Sequence, residues 1–487
     1  MSDVLKDLQP RKVFEYFEAI SAIPRESGNE KAISDYLVSF AKGLGLEVHQ
    51  DAANNVYIKK PATPGYEHLP AVILQGHMDM VCEKNKDTVH DFEKDGLKLF
   101  IDGDWIGAEG TTLGGDDGIA VAFQMAILAD NTIKHPAIEC FITTDEERGM
   151  TGVANMCPEY LNGKILINID NEKEGEFIVS CAGGAKAYST LSFTKEPVKV
   201  GSTVSKITIN GLKGGHSGAE IHLERANAHI LMGRVLKALS SEVEFQILKV
   251  EGGTKDNVIT RECEVWLATT NKDQVASIVS DMQKVFKAEY AVQDPDVAIV
   301  CEDLTSETAL SEAMDAEAAK QFVNYLLVVP NGVMGYAQHI KGLVETSLNL
   351  GIVEMDENCI RFASAVRSSV VSRKAEILVR LESVADVFGM AFEVKGDYPA
   401  WQYNEDSRLR ELAVELFEEM YDKAPTVTAI HAGLECGFIA EKCPGLDMIS
   451  IGPDLEKIHS PEERLSISST ARVYEYVLQL LEKLALY

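Results

Sequence analysis

The sequence lacks long apolar runs and closely spaced cysteine pairs. No run of about 18 apolar residues occurs among its 487 residues, so no transmembrane helix is predicted. The opening residues, MSDVLKDLQPRKVFEYF, contain no apolar segment before a small-residue cleavage site, and nothing predicts export. The nine cysteines include no CxxC motif, and an odd number without an export signal is typical of reduced thiols. These absences predict a cytoplasmic protein without disulfides.

Basic residues are also scarce. There are 46 Lys and Arg against 76 Asp and Glu, which gives a net charge of −30. Such a charge repels phosphate backbones and anionic lipid surfaces, so we expect neither nucleic acid nor a membrane as a partner. The apolar fraction of 46% is that of an ordinary globular protein, and the length predicts two or more domains.

Helical and strand patterns alternate over residues 1–185. Helical periodicity covers about residues 11–23, and SGNEKAISDYLVSFAKGLG predicts a second helix with Ser27 and Asn29 as capping residues. Short apolar runs predict strands at about 71–76, 138–143 and 165–169. The alternation predicts an α/β fold with a mixed, mostly parallel sheet flanked by helices. The same pattern returns over residues 398–487.

The pattern differs between residues 186 and 397. Strands of period two predominate there, with separate helices at about 224–240, 272–289 and 372–388. This segment predicts an inserted α+β domain, and the repeated order of its elements indicates two related α+β pieces. Residues 1–185 and 398–487 would then form one discontinuous domain.

Several predicted strands end in residues that can bind metals. The run in AVILQGHMDM ends at Gly76, and His77 and Asp79 follow it with the spacing of an imidazole ligand supported by a carboxylate. In open α/β sheets, functional residues gather outside the carboxyl ends of the strands. Other candidates at predicted strand ends are Asp145, Glu146 and Glu147 in FITTDEE, Asp170 in ILINID, and His459 in the last segment.

Each motif alone also has a structural explanation. A histidine after a strand is often an ordinary loop residue, and Asp116 or Asp117 in GTTLGGDDGIA suits the N-cap of a helix beginning near Gly118. Together the motifs fit a hydrolytic site with two metal ions about 3.5–4 Å apart that share a carboxylate. Zinc accepts both imidazole nitrogen and carboxylate oxygen, and one remaining carboxylate would activate water.

Eight motifs resemble, in order and spacing, the dinuclear zinc superfamily of aminoacylases and dipeptidases. Within it the resemblance is to the aminoacyl-histidine dipeptidases, also called Xaa-His dipeptidases or bacterial carnosinases. It covers essentially the whole chain. The motifs are QGHMDM, GTTLGGDDGIA, TTDEERGM, NIDNEKEGE, GLKGGHSG, NVIT, HAGLECG and IGPDLEKIHSPEE.

The resemblance implies a site with two Zn²⁺ ions, which Mn²⁺ or Co²⁺ can replace. His77 and Asp170 would bind one ion, Glu147 and His459 the other, and Asp116 would bridge them, whereas Asp117 would not be a ligand. Asp79 would orient His77, and Glu146 would be the general base.

The resemblance also assigns roles to residues of the inserted domain, which would be a lid. His216 in GGHSG would polarise the scissile carbonyl, and Asn257 in DNVIT would lie near the substrate. Arg367, Gly433 and Glu435 would contact the substrate termini.

The implied activity is hydrolysis of the amide bond of dipeptides such as Xaa-His, including β-alanyl-histidine. An N-acyl or N-succinyl amino acid amidohydrolase would use the same metal centre, because the lid chooses the substrate. A metal- or peptide-binding protein without activity is disfavoured, since every ligand and base position is filled. A homodimer through the lid and a monomer with an enlarged lid both remain open.

Overall fold

The described residues divide into two structural units. The structure is a computed structural model that describes residues 4–305 and 311–487. Unit 1 contains the residues up to Ser180 together with Tyr403–Ala429 and Leu434–Tyr487, and unit 2 contains Cys181–Gln402 and Ile430–Gly433. The sequence predicts boundaries after residues 185 and 397, but it gives no sign that the short segment Ile430–Gly433 belongs to unit 2.

The first segment of the chain alternates helices and strands. Its helices are α1 (Arg11–Ser21), α2 (Lys31–Gly43), α3 (Gly115–Ala129), α4 (Glu146–Gly149) and α5 (Thr151–Ala154). Its strands are β1 (Glu47–Gln50), β2 (Val56–Lys60), β3 (Val72–His77), β4 (Leu99–Asp102), β5 (Trp105–Ala108), β6 (Ile138–Thr143), β7 (Ile165–Asn168) and β8 (Glu176–Cys181).

The middle segment is rich in strands. The strands are β9 (Gly183–Ser192), β10 (Lys195–Pro197), β11 (Thr203–Asn210), β12 (Phe245–Gly252), β13 (Cys263–Thr269), β14 (Ala298–Asp303), β15 (Glu312–Met314), β16 (Gly332–Tyr336), β17 (Val344–Met355), β18 (Cys359–Ser368) and β19 (Ala391–Tyr398). The helices are α6 (Ala228–Ser240), α7 (Lys272–Glu289), α8 (Ala316–Val328) and α9 (Val371–Val387). The sequence analysis did not predict α8 and β16.

The last segment completes unit 1. Its elements are α10 (Arg408–Tyr421), β20 (Thr426–Ile430), α11 (Glu435–Lys442), β21 (Asp447–Ser450), β22 (Leu455–Glu456), β23 (Arg464–Ser466) and α12 (Ile467–Lys483). Short 3₁₀ helices cover Pro158–Tyr160, Ile221–Leu223 and Leu484–Leu486. Within the residues that the structure describes, no helix is long and apolar enough to cross a bilayer.

A mixed sheet forms the centre of unit 1, with the strand order β1-β2-β6-β3-β7-β21-β8-β20. The four central strands β6, β3, β7 and β21 are parallel, whereas β1 and β2 pair antiparallel at one edge. Every residue of the four central strands is buried, as expected of parallel strands covered on both faces. The predicted α/β class with a mostly parallel sheet is confirmed. The parallel strands also align their carboxyl ends.

The main sheet of unit 2 contains two halves with the same topology. Strands β11, β13, β12 and β14 are ordered β14-β11-β13-β12, and helices α6 and α7 connect them. Strands β9, β17, β18 and β19 are ordered β17-β18-β9-β19, with α8 and α9 between them in sequence. In both halves the first strand lies between the third and the fourth. The halves join where β12 pairs with β17.

Candidate metal centre

Two of the predicted ligands lie at the ends of neighbouring parallel strands. His77 is the last residue of β3, and Asp170 follows β7 by two residues. These strands pair in parallel with Gln75 opposite Asn168, so their ends lie side by side. The Nε2 atom of His77 lies 3.5 Å from Oδ1 of Asp170. The sheet itself therefore brings this pair together.

The carboxylate of Asp116 faces both candidate histidines. Its Oδ1 lies 3.2 Å from Nε2 of His77, and its Oδ2 lies 3.3 Å from Nε2 of His459. No side chain makes a capping hydrogen bond at the start of α3, so the predicted N-cap role of Asp116 or Asp117 is not observed. His459 Nε2 also lies 2.9 Å from Oε1 of Glu147. One carboxylate between two imidazoles is the arrangement of a bridging ligand.

The donor set fits a pair of divalent ions. Ligand atoms within 4.8 Å of one another form three groups in the described chain, namely His77–Asp116–Asp170, Asp116–Glu147–His459 and His77–Glu146–Glu147. These groups contain four carboxyl groups but only two imidazoles, and the carboxyl groups are largely shielded from solvent. Burial raises the pKa of Asp170 to about 6 and that of Glu146 well above its ordinary value. Divalent cations would neutralise this excess of negative charge, and zinc accepts both donor types.

Among the described residues, Asp117 belongs to none of these groups. Its buried Oδ2 accepts a hydrogen bond from the backbone N–H of His77 at 3.2 Å. A Cβ atom at Gly76 would lie 2.4 Å from the same oxygen, so only glycine fits at this position of β3. Asp117 therefore supports the end of β3, and the expectation that it is not a ligand stays a prediction.

Asp79 lies behind His77 and also holds the acidic turn. Its Oδ1 lies 3.3 Å from Nδ1 of His77, on the ring side opposite the candidate ligands. The backbone N–H groups of Glu146 and Glu147 donate to its carboxylate at 3.2 and 3.3 Å. Ser27 Oγ donates to Asp79 Oδ2 at 2.8 Å. Ser27 was expected to cap α2, but no side chain caps that helix, and the prediction for Ser27 and Asn29 was wrong.

In unit 2, His216 is fixed by a tight turn. The backbone N–H groups of Gly218 and Ala219 donate to its Nδ1 at 3.3 and 3.0 Å, so in the neutral ring the hydrogen is on Nε2. Burial and the charge of Arg367 lower the pKa of His216, which keeps the ring neutral. The backbone N–H of Ser217 donates to the carbonyl of Asn257 at 2.9 Å. His216 therefore presents an N–H donor beside the predicted Asn257.

Gly218 lies where three residues of unit 2 meet. A Cβ atom there would lie 2.5 Å from the carbonyl oxygen of His431, 3.0 Å from Cε1 of His216 and 3.1 Å from Nε of Arg367. Arg367 donates from Nη1 to the hydroxyl of Tyr398 at 3.0 Å, and its buried Nε has no hydrogen-bond partner among the described residues. Unit 2 thus groups the predicted His216 and Arg367, and Gly433 follows two residues after His431.

The sequence matches the pattern of peptidase family M20/M25/M40 over residues 73–483. The chain belongs to this family. It is 38% identical over 482 residues to the cytosol non-specific dipeptidase of Escherichia coli K12, with 99% of each chain covered. Its structure matches the aminoacylhistidine dipeptidase from Vibrio alginolyticus with a TM-score of 0.94 at 37% identity, covering 99% of both chains. The aminopeptidase PepT from Bacillus cereus ATCC 10987 shares the fold at 18% identity and a TM-score of 0.55, with 98% of this chain and 99% of that chain covered.

These matches confirm the family resemblance and the expectation of a metallopeptidase. Family M20 is metal-dependent, in agreement with the donor set described above. The identity and number of the ions, and the role of each residue, stay predictions.

A residue that the sequence analysis missed holds the segment that carries Asp116. Glu463, in the same HSPEE motif as His459, accepts hydrogen bonds from the backbone N–H groups of Leu113, Gly114, Gly115 and Asp116 at 2.7 to 3.3 Å. Its carboxylate therefore connects the His459 loop to the Asp116 loop. Arg25 ties the other side, because its guanidinium donates to the carbonyls of Met78, Asp79 and Gly114.

Glu435 does not lie where a substrate contact was expected. Its side chain is fully buried in unit 1, and Gln75 Nε2 and Thr143 Oγ1 donate to its Oε2 at 2.5 and 2.6 Å. Burial raises its pKa to about 8. Glu435 has no exposed surface in this structure, so the predicted contact of Glu435 with the substrate is not supported.

Proposed function

We propose that this chain is a dipeptidase that hydrolyses the amide bond of dipeptides, including Xaa-His and β-alanyl-histidine, with two bound Zn²⁺ ions. The observation that carries the proposal is the carboxylate of Asp116, which faces both His77 and His459 at 3.2 to 3.3 Å. The full-length similarity to two dipeptidases supports the substrate class.

The ligands are assigned from the three groups of donors. His77 and Asp170 hold one ion, Glu147 and His459 hold the other, and Asp116 is shared. Asp79 supports this assignment, since a carboxylate behind a ligand histidine fixes its ring orientation. When bound, such an ion pair supplies an activated water and polarises the scissile carbonyl.

Glu146 is the general base. It accepts a proton from the attacking water and passes it to the leaving amine as the amide bond breaks. Its carboxylate accepts no hydrogen bond from any side chain or backbone group in the described chain, whereas its neighbour Glu147 is paired with His459.

Unit 2 acts as the lid. His216 donates from Nε2 to the oxygen of the scissile carbonyl, a role that its fixed tautomer and lowered pKa support. Arg367 contacts the substrate carboxylate, for which its planar guanidinium is suited, and Asn257 and Gly433 lie beside the substrate. The E. coli relative is cytosolic by name, which supports a cytoplasmic location. The protein is either a homodimer formed through the lid or a monomer with an enlarged lid.

The test is a substrate panel on metal-depleted and reconstituted protein. We expect β-alanyl-histidine and other dipeptides to be hydrolysed after addition of Zn²⁺, Mn²⁺ or Co²⁺, and no turnover after chelation. N-acetyl and N-succinyl amino acids serve as competing substrates. Turnover of those alone would replace the dipeptidase proposal by the amidohydrolase alternative.

A further inference from the structure

Three polar side chains lie in the interior of the parallel sheet of unit 1. Gln75, Thr143 and Asn168 lie on the neighbouring strands β3, β6 and β7, and each is fully buried. The interior of such a sheet is normally apolar, and a buried polar group is unfavourable unless it is hydrogen-bonded. These three polar side chains therefore need hydrogen-bond partners, and their presence inside the sheet needs an explanation.

The partner that joins them is the buried carboxylate of Glu435 at the start of α11. Gln75 Nε2 and Thr143 Oγ1 both donate to its Oε2, at 2.5 and 2.6 Å. Asn168 Nδ2 donates to Oε1 of Gln75 at 2.5 Å. One side chain from the last segment of the chain thus links three strands from the first segment.

Each of the three strand residues lies two or three residues before a candidate metal ligand or the candidate base. Gln75 comes two residues before His77, and Asn168 comes two residues before Asp170. Residues two apart in a strand point to the same face, so Gln75 and His77 share a face of the sheet. The backbone N–H of Asp170 donates to Oδ1 of Asn168 at 3.3 Å. Thr143 is the last residue of β6, three before Glu146. The hydrogen-bonded set ends at the metal centre on all three strands.

We propose that Glu435 is a positioning residue that sets the spacing of the three strand ends through Gln75, Thr143 and Asn168. This inference rests on the proposed function, since it takes His77, Asp170 and Glu147 as the metal ligands. The hydrogen-bond network of Glu435, Gln75, Thr143 and Asn168 determines the affinity for the metal ions and the rate at which bound substrate reacts. It does not contact the substrate, because all four side chains are buried.

The chain offers a matched control for the test. Gln75 and Gln124 are both fully buried glutamines of unit 1, but Gln124 in α3 has no hydrogen-bond partner for its amide among the described residues. Gln124 is eight residues after Asp116 in the sequence and belongs to none of the three groups of candidate ligands among the described residues. Gln75→Leu and Gln124→Leu therefore make the same chemical change with and without loss of the network.

Zinc affinity is measured by competition with a chromophoric chelator, and kcat and KM are measured on a dipeptide. We expect Gln75→Leu to lower zinc affinity and kcat by about 10–100-fold, as for loss of groups that orient metal ligands, with KM unchanged. Gln124→Leu should change neither quantity. Glu435→Gln, which keeps an acceptor oxygen, should retain more zinc affinity than Glu435→Leu.

Three results would overturn the inference. The first is a zinc affinity of Gln75→Leu equal to that of the wild type. The second is an equal loss of zinc affinity and kcat in Gln75→Leu and Gln124→Leu. The third is a change in KM alone, which would indicate that Glu435 contacts the substrate. If Gln75→Leu does not fold, the isosteric Thr143→Val decides by the same readouts. Zinc affinity is measured without substrate. A wild-type protein that binds zinc but does not cleave dipeptides would therefore refute the proposed activity, and the zinc affinities of the variants would still test the role of Glu435.

Discussion

The adjacent acids Glu146 and Glu147 should behave differently when each is changed to glutamine. Glu147 is paired with His459 at 2.9 Å and belongs to two of the three groups of potential ligand atoms, whereas Glu146 belongs to one. Glu146→Gln should keep both metal ions and lose a factor of about 10²–10⁴ in kcat, the usual contribution of a general base. That factor corresponds to about 3–5 kcal/mol of transition-state stabilisation.

Glu147→Gln should instead weaken metal binding, because it removes a charged ligand oxygen facing His459. The assay measures zinc content after equilibrium dialysis and kcat at saturating zinc for both variants. Excess zinc should restore activity to Glu147→Gln in part and leave Glu146→Gln inactive. The reverse pattern, with metal lost in Glu146→Gln and retained in Glu147→Gln, would refute the assignment within the pair.

Three further predictions follow from the two units. His216→Ala should keep the metal content and lower kcat by about 10²–10³, as for loss of an oxyanion donor, and a near-normal kcat would limit His216 to holding its loop. Glu463→Ala should lower the free energy of unfolding by at least about 3 kcal/mol in urea titrations, because it leaves four backbone N–H groups without an acceptor, whereas the exposed Glu462→Ala should stay within about 0.5 kcal/mol. Equal effects at the two positions would contradict the role of Glu463. In metal-free protein, the pKa of Asp170 is raised to about 6 by burial, so the native state binds more protons than the unfolded chain between about pH 4 and 6. The contribution of Asp170 to the free energy of unfolding should therefore fall as pH rises through this range, so the free energy of Asp170→Asn should fall less, or rise more, than that of the wild type. The same pH dependence in both proteins would contradict the raised pKa of Asp170.

The sequence alone predicts that the candidate ligands His77 and Asp170 lie close together, because two local rules are enough to place them. A short apolar run predicts a buried strand, and parallel strands align their carboxyl ends, so His77 and Asp170 meet without further information. Asp116 lies in the non-helical first residues of α3, where the sequence is equally consistent with an N-cap role. Only the three-dimensional path of that segment places its carboxylate between the two histidines.

The supporting residues have no such local signal. Ser27 and Glu463 bind backbone or side-chain groups 52 to 350 residues away, and their own surroundings suggest a helix cap and an exposed loop. Glu435 was assigned to the substrate because its motif resembles that of relatives, whereas its partners Gln75 and Thr143 lie on distant strands. Contacts of this kind depend on tertiary packing, so only the three-dimensional structure reveals them.

The number of zinc ions bound per chain tests the central claim most directly. Titration of metal-free wild-type protein with Zn²⁺ should show two ions per chain, and Asp116→Asn should weaken both, because its carboxylate faces the histidine of each group. His459→Ala should weaken only one of the two, since it belongs to a single group. A wild type that is fully active on dipeptides with one ion per chain, or an Asp116→Asn protein that binds two ions with unchanged affinity, would contradict a bridged dinuclear centre.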